Sequence, residues 1–419
     1  MNDRHDLEVI LVGDELLRGD RPDQHLAFLG RAVRPVGLRV SRAQTVLDRV
    51  ADIEAIVRER MPHARVLIVT GGLGPTDDDI TRVGVANAAG VPLEFNEPTW
   101  QHILEFFKTR GRTPTASNRQ QAEFPRGATV LGNARGSAPG FALLHDDTHI
   151  FVLPGPPGEL QPMFNEHVLP RLAALFNRPP LRVDVFRTIG VGESQLVEML
   201  GDAVVGLDAF TVGWMPTVYG VDIILTQHTN AGVSRMDDES GRLHARLVET
   251  LGTKYFERGE RPLARVIGDA LVARGETVAA AESLTGGSVA RLLTEHSGSS
   301  AWFVASAVAY ANSAKVDLVG VSNATIDQFG AVSEEVCTEM AHGIRRRAKA
   351  TYGIATTGIA GPTGATPQKP VGLTFIGVAW DGGVQVKRLI YPGDRSAIRD
   401  RAAHGVLWLL HDRLARVTV

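Results

Sequence analysis

Hydrophobic and polar positions follow two different periods along the chain. In the first part, short apolar runs of strand character alternate with segments that have the 3.6-residue period of amphipathic helices. The apolar runs are residues 7–12, 39–46, 66–70 and 150–153. This β-α-β alternation predicts an α/β domain built around a parallel sheet. A Pro-Pro pair within residues 177–180 cannot continue a helix, so we place the end of this domain there.

The pattern changes after residue 181. Two predicted strands and two predicted helices indicate a small α+β module, at residues 181–189, 194–200, 221–227 and 237–251. A polar stretch with Gly259 and Pro262 marks the next boundary, after which helices and strands alternate again. Helices are predicted at 263–273, 287–295, 314–320, 333–350 and from 395, and strands at 277–281, 302–310, 354–357, 373–380 and 384–391. We therefore predict three domains, residues 1–176, 181–258 and 259–419.

Composition is that of a globular protein, with 44% hydrophobic and 22% charged residues in a chain of 419. A formal net charge of -3 gives no general attraction to nucleic acid or to an anionic membrane. The sequence has neither an apolar run of the length that spans a bilayer nor the apolar core of a signal peptide. The single cysteine, Cys337, fits a reducing compartment and is predicted to be a small buried side chain. We expect a cytoplasmic protein.

Three loops of the last domain follow predicted strands and carry candidate chemistry. Residues 281–287 contain Ser283 and open a helix, where glycines and free N–H groups favour an anion or oxyanion. Lys315 opens another helix, where the helix dipole lowers the pKa of an amine and makes it a usable base. The third loop, residues 356–364, is again dense in glycine. Each feature alone also fits a plain turn or a surface lysine, but three in one domain favour a site.

The first domain has its own glycine-rich loops at the ends of predicted strands, at residues 71–75 and 154–158. Ligands of open parallel sheets bind just beyond these strand ends. Glycines admit a phosphate chain, and carboxylates beside them suit a hard divalent cation, the pairing that pyrophosphate hydrolysis requires. An acidic helix cap is the alternative explanation. The predicted site consists of Asp14, Glu15, Gly71, Gly72, Gly74, Asp77 and Asp78, with Asp78 and Asp79 as metal ligands.

Long motifs in order along nearly the whole chain, from about residue 7 to 414, resemble the CinA family. The matching segments are residues 13–19, 70–76, 153–157, 281–287, 330–334, 357–362 and 393–395. The resemblance implies an α/β protein with a molybdopterin-binding-like three-layer N-terminal domain, a KH-like middle module and a C-terminal α/β deamidase domain. It also implies a homodimer.

For the C-terminal domain, the resemblance implies a nicotinamide mononucleotide deamidase of the serine/lysine type that needs no cofactor. Ser283 would be the nucleophile and Lys315 its base, with Tyr310 and Ser300 supporting proton transfer or holding the amide. The implied substrate-binding residues are Thr285, Gly286, Gly287, Thr357, Gly358 and Arg399, with Arg395 as a further phosphate donor. Leu284 stands where the family often has cysteine, so a thiol at this position is not the essential nucleophile.

For the N-terminal domain, the resemblance implies ADP-ribose pyrophosphatase activity that depends on a divalent metal ion. Two departures from the family pattern fall here: Asp77 replaces a glutamate, and residues 21–25 replace a segment with asparagines and a threonine. The alternative class of function is a pterin- or nucleotide-binding scaffold without hydrolase activity. Nucleic-acid binding is disfavoured because residues 189–193 carry an acid and lack a basic GxxG loop.

Overall fold

The computed structural model describes residues 4–228 and 231–416. The chain forms two compact units, Met1–Arg182 and Val183–Val419. The division lies a few residues after the predicted end of the first domain, and the boundary predicted near residue 258 falls inside the second unit. Among the described residues, no helix is both long enough and apolar enough to cross a membrane.

The first unit contains eight strands and seven α-helices among its described residues. The strands are β1 (His5–Val12), β2 (Arg42–Val46), β3 (Ala64–Thr70), β4 (Leu93–Phe95), β5 (Glu123–Pro125), β6 (Thr129–Leu131), β7 (Gly140–His145) and β8 (Thr148–Leu153). The helices are α1 (Asp14–Leu17), α2 (His25–Ala32), α3 (Val50–Arg60), α4 (Thr81–Ala88), α5 (Glu97–Lys108), α6 (Pro157–Met163) and α7 (Leu169–Phe176).

The main sheet of this unit has the order β2-β1-β3-β8-β7-β6, and β4 pairs with β5 apart from it. Strands β2, β1, β3 and β8 are parallel, whereas β7 at one side of the sheet pairs antiparallel with both β8 and the edge strand β6. Side chains of β3 alternate between two cores: Val66 and Ile68 enter one, Leu67 and Val69 the other. A sheet buried on both faces gives the three-layer α/β domain that was predicted. The carboxyl ends of β1, β3 and β8 lead into the predicted site loops.

The second unit begins with a module whose described residues form four strands and two α-helices. They are β9 (Val183–Thr188), α8 (Glu193–Leu200), β10 (Phe210–Pro216), β11 (Val221–Gln227), α9 (Val233–Leu251) and β12 (Tyr255–Arg258). The antiparallel sheet order is β10-β11-β9-β12. This β-α-β-β-α-β chain order is the split β-α-β arrangement of ferredoxin-like folds, and we describe the module by that topology rather than as KH-like.

The rest of the second unit is an α/β domain. Its helices are α10 (Leu263–Arg274), α11 (Ser288–Thr294), α12 (Asn312–Val319), α13 (Asn323–Phe329), α14 (Glu334–Ala348) and α15 (Arg395–Arg416). Its strands are β13 (Val278–Glu282), β14 (Phe303–Val308), β15 (Tyr352–Gly358), β16 (Leu373–Trp380) and β17 (Gly383–Ile390). The sheet order is β14-β13-β15-β16-β17, in which β14, β13 and β15 are parallel and β16 pairs antiparallel with both β15 and β17.

Alternation along β13 divides this domain into two cores. Val278 and Ala280 join the cluster formed with α10, α11 and α15, whereas Ala279 and Ala281 join the cluster formed with α12 and α14. Cys337 on α14 lies in the second cluster with no exposed surface, which confirms the predicted buried thiol. The two faces of β13 therefore lead to different surroundings at its carboxyl end.

Candidate active site

The parallel strands β14, β13 and β15 bring three chain segments together at their carboxyl ends. Glu282 at the end of β13 is level with Val308 of β14 and Thr356 of β15. The ladder continues beyond the strands, because Ala309 N donates to Glu282 O at 2.8 Å and Ser283 N donates to Thr356 O at 3.0 Å. Ser283 thus lies between the segment that follows β14 and the end of β15.

Ser283 and Lys315 are both buried next to this strand end. Side chains of β13 alternate between the two faces of the sheet, and Ser283 directly follows the strand. If this alternation continues for one residue, the Ser283 side chain lies on the same face as Ala279 and Ala281, which packs against α12 and α14. Lys315 on α12 is only 2% exposed, and its Nζ donates to Ala309 O at 3.0 Å and Tyr310 O at 2.9 Å. The structure therefore places the predicted nucleophile and base at neighbouring strand ends, Ser283 after β13 and the Lys315 amine on the carbonyls that follow β14. Among the described side chains there is no direct hydrogen bond between them.

Lys315 has an unusual electrostatic environment for a lysine. In the part of the chain that the structure describes, no carboxylate lies within ion-pair distance of its Nζ. Burial lowers the pKa of Lys315 because desolvation penalises the ammonium form. A buried amine held by two neutral carbonyls is therefore a suitable general base.

The start of α11, which was predicted to bind an anion, is occupied by the Glu282 carboxylate. Glu282 has no exposed surface. Its Oε2 accepts from Gly287 N at 2.9 Å and Val289 N at 3.1 Å, and its Oε1 accepts from Ala290 N at 2.8 Å. Oε2 also accepts from the buried Thr285 hydroxyl at 2.8 Å. The Gly287 N–H and the Thr285 hydroxyl are therefore already paired inside the protein, and substrate binding by these two residues stays a prediction.

The other predicted glycine-loop residues also have structural partners. Gly286 takes a positive φ of 54° and its N–H donates to Ser283 O at 3.1 Å, which closes a tight turn. The buried Thr357 hydroxyl donates to Ala331 O at 2.8 Å. A Cβ at Gly358 would lie 2.6 Å from Leu373 O, so close strand packing requires glycine there. These contacts shape the site, and substrate binding by Gly286, Thr357 and Gly358 stays a prediction.

Two arginines of α15 reach the site from its first turns. Arg399 donates from Nε to Leu284 O at 3.1 Å and from Nη2 to Thr285 O at 2.9 Å. Arg395 donates from Nη2 to the Tyr310 hydroxyl at 2.9 Å and from Nη1 to a glycine-loop carbonyl at 2.7 Å. Tyr310 is 58% exposed, so this pair forms the mouth of the site, whereas Arg399 holds the turn that carries Ser283.

Ser300 does not join the cluster. It lies on an exposed single turn, Ser299–Ala301, before the amino end of β14. Trp302 O at that end accepts from Val278 N at 2.8 Å, so Ser300 is level with the start of β13. Because β13 spans 5 residues, Ser300 and Ser283 lie at opposite ends of the strands, roughly 16 Å apart along the strand direction. The predicted catalytic role of Ser300 is therefore not supported within one chain.

In the first unit, the ends of β1 and β3 and the loop after β8 border a cleft of about 420 Å³. Predicted residues that line it are Glu15, Gly71, Gly72, Asp78 and Asp79. Asp14, Gly74 and Asp77 do not line it. The cleft also contains His25 and Asp48, which the sequence analysis missed. His25 Nε2 donates to Gly155 O at 2.6 Å and its Nδ1 lies 2.9 Å from the Thr70 hydroxyl, so it ties the two glycine loops together.

Carboxylates crowd one side of this cleft. Asp14 and Asp48 bind each other's backbone N–H groups at 2.8 and 2.9 Å. Burial raises the pKa of Asp48, and the charges of Asp14, Glu15 and Asp78 add to the rise. This side of the cleft is therefore strongly acidic.

The predicted metal ligands do not form a metal centre. The Asp78 and Asp79 carboxylates both accept from the Thr76 hydroxyl, and Asp79 also accepts from Thr76 N at 2.8 Å. Among residues 4–228 and 231–416, no three His, Cys, Asp or Glu side chains are grouped as metal ligands. Asp78 and Asp79 therefore brace the loop, and no chemical step is assigned to a metal ion here.

The fold and the two sites define a multidomain α/β protein that joins a three-layer domain with a glycine-rich cleft to a domain with a buried serine and lysine. Residues 8–174 match the family model described as "Probable molybdopterin binding domain", and residues 260–414 match the CinA C-terminal domain. The chain belongs to the CinA family.

Relatives match over almost the whole length of the chain. A "Putative competence-damage inducible protein" of Symbiobacterium thermophilum is 38% identical over 94% of this chain and 96% of its own. A "CinA-like protein" of Anaeromyxobacter dehalogenans is 38% identical over 96% of this chain and 98% of its own. The crystal structure of the competence/damage inducible protein CihA from Agrobacterium tumefaciens is 40% identical, covers 36% of this chain and 93% of its own, and has a TM-score of 0.36.

Proposed function

We propose that the C-terminal domain hydrolyses the carboxamide of nicotinamide mononucleotide to nicotinic acid mononucleotide and ammonia, a reaction of pyridine nucleotide salvage. The observation that carries this proposal is that Ser283 and Lys315 are both buried near the carboxyl ends of the adjacent strands β13 and β14, with Lys315 Nζ donating to two backbone carbonyls. This arrangement suits acyl transfer by a serine with a lysine base. The resemblance of the surrounding motifs to serine/lysine amidohydrolases supports the choice of an amide substrate.

Hydrogen-bond counting favours the neutral form of Lys315 as the base. A neutral amine has two N–H donors and one lone pair, and the carbonyls of Ala309 and Tyr310 accept two donors. The lone pair then remains for the Ser283 hydroxyl proton. An ammonium would leave a third N–H donor to satisfy in a buried site, which is costly.

The reaction proceeds in two acyl-transfer steps. Lys315 takes the Ser283 proton while Oγ bonds to the carboxamide carbon, and the carbonyl oxygen becomes an oxyanion. The lysine then gives its proton to the amide nitrogen, the C–N bond breaks and ammonia leaves. Water, deprotonated by the same lysine, cleaves the ester and restores Ser283. The chain's own residues supply every proton transfer in this sequence.

The test of this function is ammonia release from nicotinamide mononucleotide by the full chain, with a chelator present throughout. We expect one nicotinic acid mononucleotide for each ammonia released. A purified, folded chain that releases none would contradict the proposal.

Arg395 is the arginine best placed to bind the substrate phosphate, because it is exposed at the mouth beside Tyr310. We expect Arg395→Ala to raise KM for nicotinamide mononucleotide by about tenfold to a hundredfold, the range of a charged hydrogen bond. Nicotinamide riboside, which has no phosphate, should be deamidated at an unchanged rate. Arg346→Ala, at an exposed arginine on α14, is the matched control. Equal losses of kcat/KM on both substrates would exclude phosphate binding by Arg395.

We propose nucleotide binding, and cleavage of a nucleotide pyrophosphate such as ADP-ribose, for the cleft of the first unit. Its volume of about 420 Å³ and its lining by Gly71, Gly72 and several carboxylates support this second function. A pterin-binding scaffold is the competing proposal. Binding of molybdopterin without ADP-ribose cleavage would favour it.

Glu15 tests this cleft separately from the deamidase site. Its side chain lines the cleft. We expect Glu15→Gln to reduce ADP-ribose cleavage at least about tenfold while nicotinamide mononucleotide deamidation stays unchanged, because the two sites lie on separate units. Cleavage is measured as AMP release with and without a divalent salt, with Asp77→Asn, outside the cleft, as the control. Undiminished cleavage in Glu15→Gln would place the reaction elsewhere.

A further inference from the structure

The backbone N–H groups around Ser283 can be accounted for one by one. The groups with a protein acceptor are those of Ser283, Gly286, Gly287, Ser288, Val289 and Ala290. Within residues 283–290, the N–H groups of Leu284 and Thr285 are left with no acceptor in the described part of the chain. Both residues are buried, at 3% and 0% exposure. Buried backbone donors are almost always paired, so two unpaired ones beside a nucleophile point to a ligand.

The N–H groups at the start of α11 are not among the unpaired donors, because they bind the Glu282 carboxylate. It accepts from three N–H groups of the first turn of α11, and from the hydroxyls of Thr285 at 2.8 Å and Ser306 at 3.2 Å. The usual anion-binding end of the helix is thereby filled by a side-chain carboxyl group of the protein itself. A developing negative charge on the substrate must find its donors elsewhere in the turn.

Arg399 fixes the orientation of the turn from the opposite side. Its guanidinium holds the carbonyls of Leu284 and Thr285 at 3.1 and 2.9 Å. In a trans peptide, the C=O of one residue and the N–H of the next point in opposite directions. The carbonyl of Leu284 bound to Arg399 therefore directs the Thr285 N–H away from the guanidinium.

We propose that the N–H groups of Leu284 and Thr285 form the oxyanion hole of the Ser283 site and that Arg399, by holding the peptide between Leu284 and Thr285, is the positioning residue for the Thr285 N–H. The inference rests on the proposed acyl transfer. When Ser283 Oγ bonds to the carboxamide carbon, the C=O electron pair moves to oxygen, and these two N–H groups donate hydrogen bonds to the oxyanion. The pair returns as the C–N bond breaks. Arg399 is thereby reassigned from a phosphate ligand to a residue that never touches substrate.

The test compares Arg399→Met and Arg399→Lys on nicotinamide mononucleotide and nicotinamide riboside. We expect kcat to fall about a hundredfold in Arg399→Met for both substrates, with little change in KM, since loss of one oxyanion donor costs about that much. Lysine cannot span two carbonyls, so Arg399→Lys should recover only part of the rate. A rise in KM confined to the phosphorylated substrate would overturn the proposal.

Arg401→Met is the matched control. Arg401 lies on the same helix and also holds two carbonyls, of Val218 and Pro392, away from Ser283. Loss of the Arg401 guanidinium should leave kcat unchanged. If kcat falls equally in Arg401→Met and Arg399→Met, a loss of helix stability explains both results and the proposal is overturned.

A second measurement separates this inference from the identity of the substrate. A fluorophosphonate reagent forms a tetrahedral adduct on an activated serine and places an oxygen in the oxyanion hole. We expect labelling of Ser283 in the wild type and at least about tenfold slower labelling in Arg399→Met, whether or not nicotinamide mononucleotide is turned over. No labelling of the wild type, or equal rates in both proteins, would overturn the oxyanion assignment.

Discussion

Ser283→Ala is expected to lower the deamidation rate of nicotinamide mononucleotide by at least about a thousandfold. The hydroxyl is the only group in the proposed mechanism that bonds to the carboxamide carbon. Binding should survive, because the turn is held by Glu282 and Arg399 rather than by the serine side chain. The measurement is kcat from ammonia release, with substrate binding followed by calorimetry.

The control for this variant is Ser313→Ala, an exposed serine at the start of α12. It should keep the wild-type rate and the wild-type thermal midpoint. If Ser283→Ala remains active with its fold intact, Ser283 is not the nucleophile and water must attack the amide directly.

Lys315→Met is expected to reduce kcat by about a hundredfold to ten-thousandfold, the usual contribution of a general base. Methionine matches the length of the buried stem but has no lone pair of comparable basicity. Lys315→Arg should be equally inactive, because a guanidinium stays protonated and cannot accept the serine proton. Lys108→Met, an exposed lysine of the first unit with 80% side-chain exposure, is the control.

The pH dependence gives Lys315 a signature of its own. The ammonium form is inactive, so the rate falls as pH drops through the lysine pKa. Burial lowers that pKa below 10.5, the ordinary value for lysine, and the acid limb of the rate should therefore lie at lower pH than that of an exposed lysine. The residual activity of Lys315→Met should lack this acid limb. An identical pH profile in the two proteins would assign the base to another group.

Local patterns in the sequence were sufficient for most elements that position the sites. Apolar runs ending in glycine loops predicted the strands β1, β3 and β13, because strand, turn and helix start are all encoded within a few residues. Gly213 and Pro216 interrupt the apolar pattern of β10 and hid that strand. Strand β7 was also missed, although it forms an antiparallel hairpin with its sequence neighbour β8 through the turn at residues 146 and 147.

The composition of the Ser283 site was predicted less completely than its location. Ser283 and Lys315 were found because they follow adjacent strands. Glu282 binds the start of α11, and Arg399 binds the turn after Ser283. Both are tertiary contacts that a loop motif does not encode. One signal was present in the sequence: a glutamate ends an otherwise apolar strand, directly before the serine. A charge in that position needs buried donors, and it should have raised the question of which groups supply them.

The burial of Cys337 has a practical consequence for measuring the stability of the C-terminal domain. Its thiol lies between α14 and the sheet, 3.8 Å from Ala355 O, and burial raises its pKa. A thiol reagent can reach it only when α14 leaves the sheet, so the labelling rate reports that opening event alone. Since the chain has no other cysteine, unmodified protein already carries a single-site exchange probe, and a ligand that binds the closed domain will slow the reaction in proportion to its occupancy.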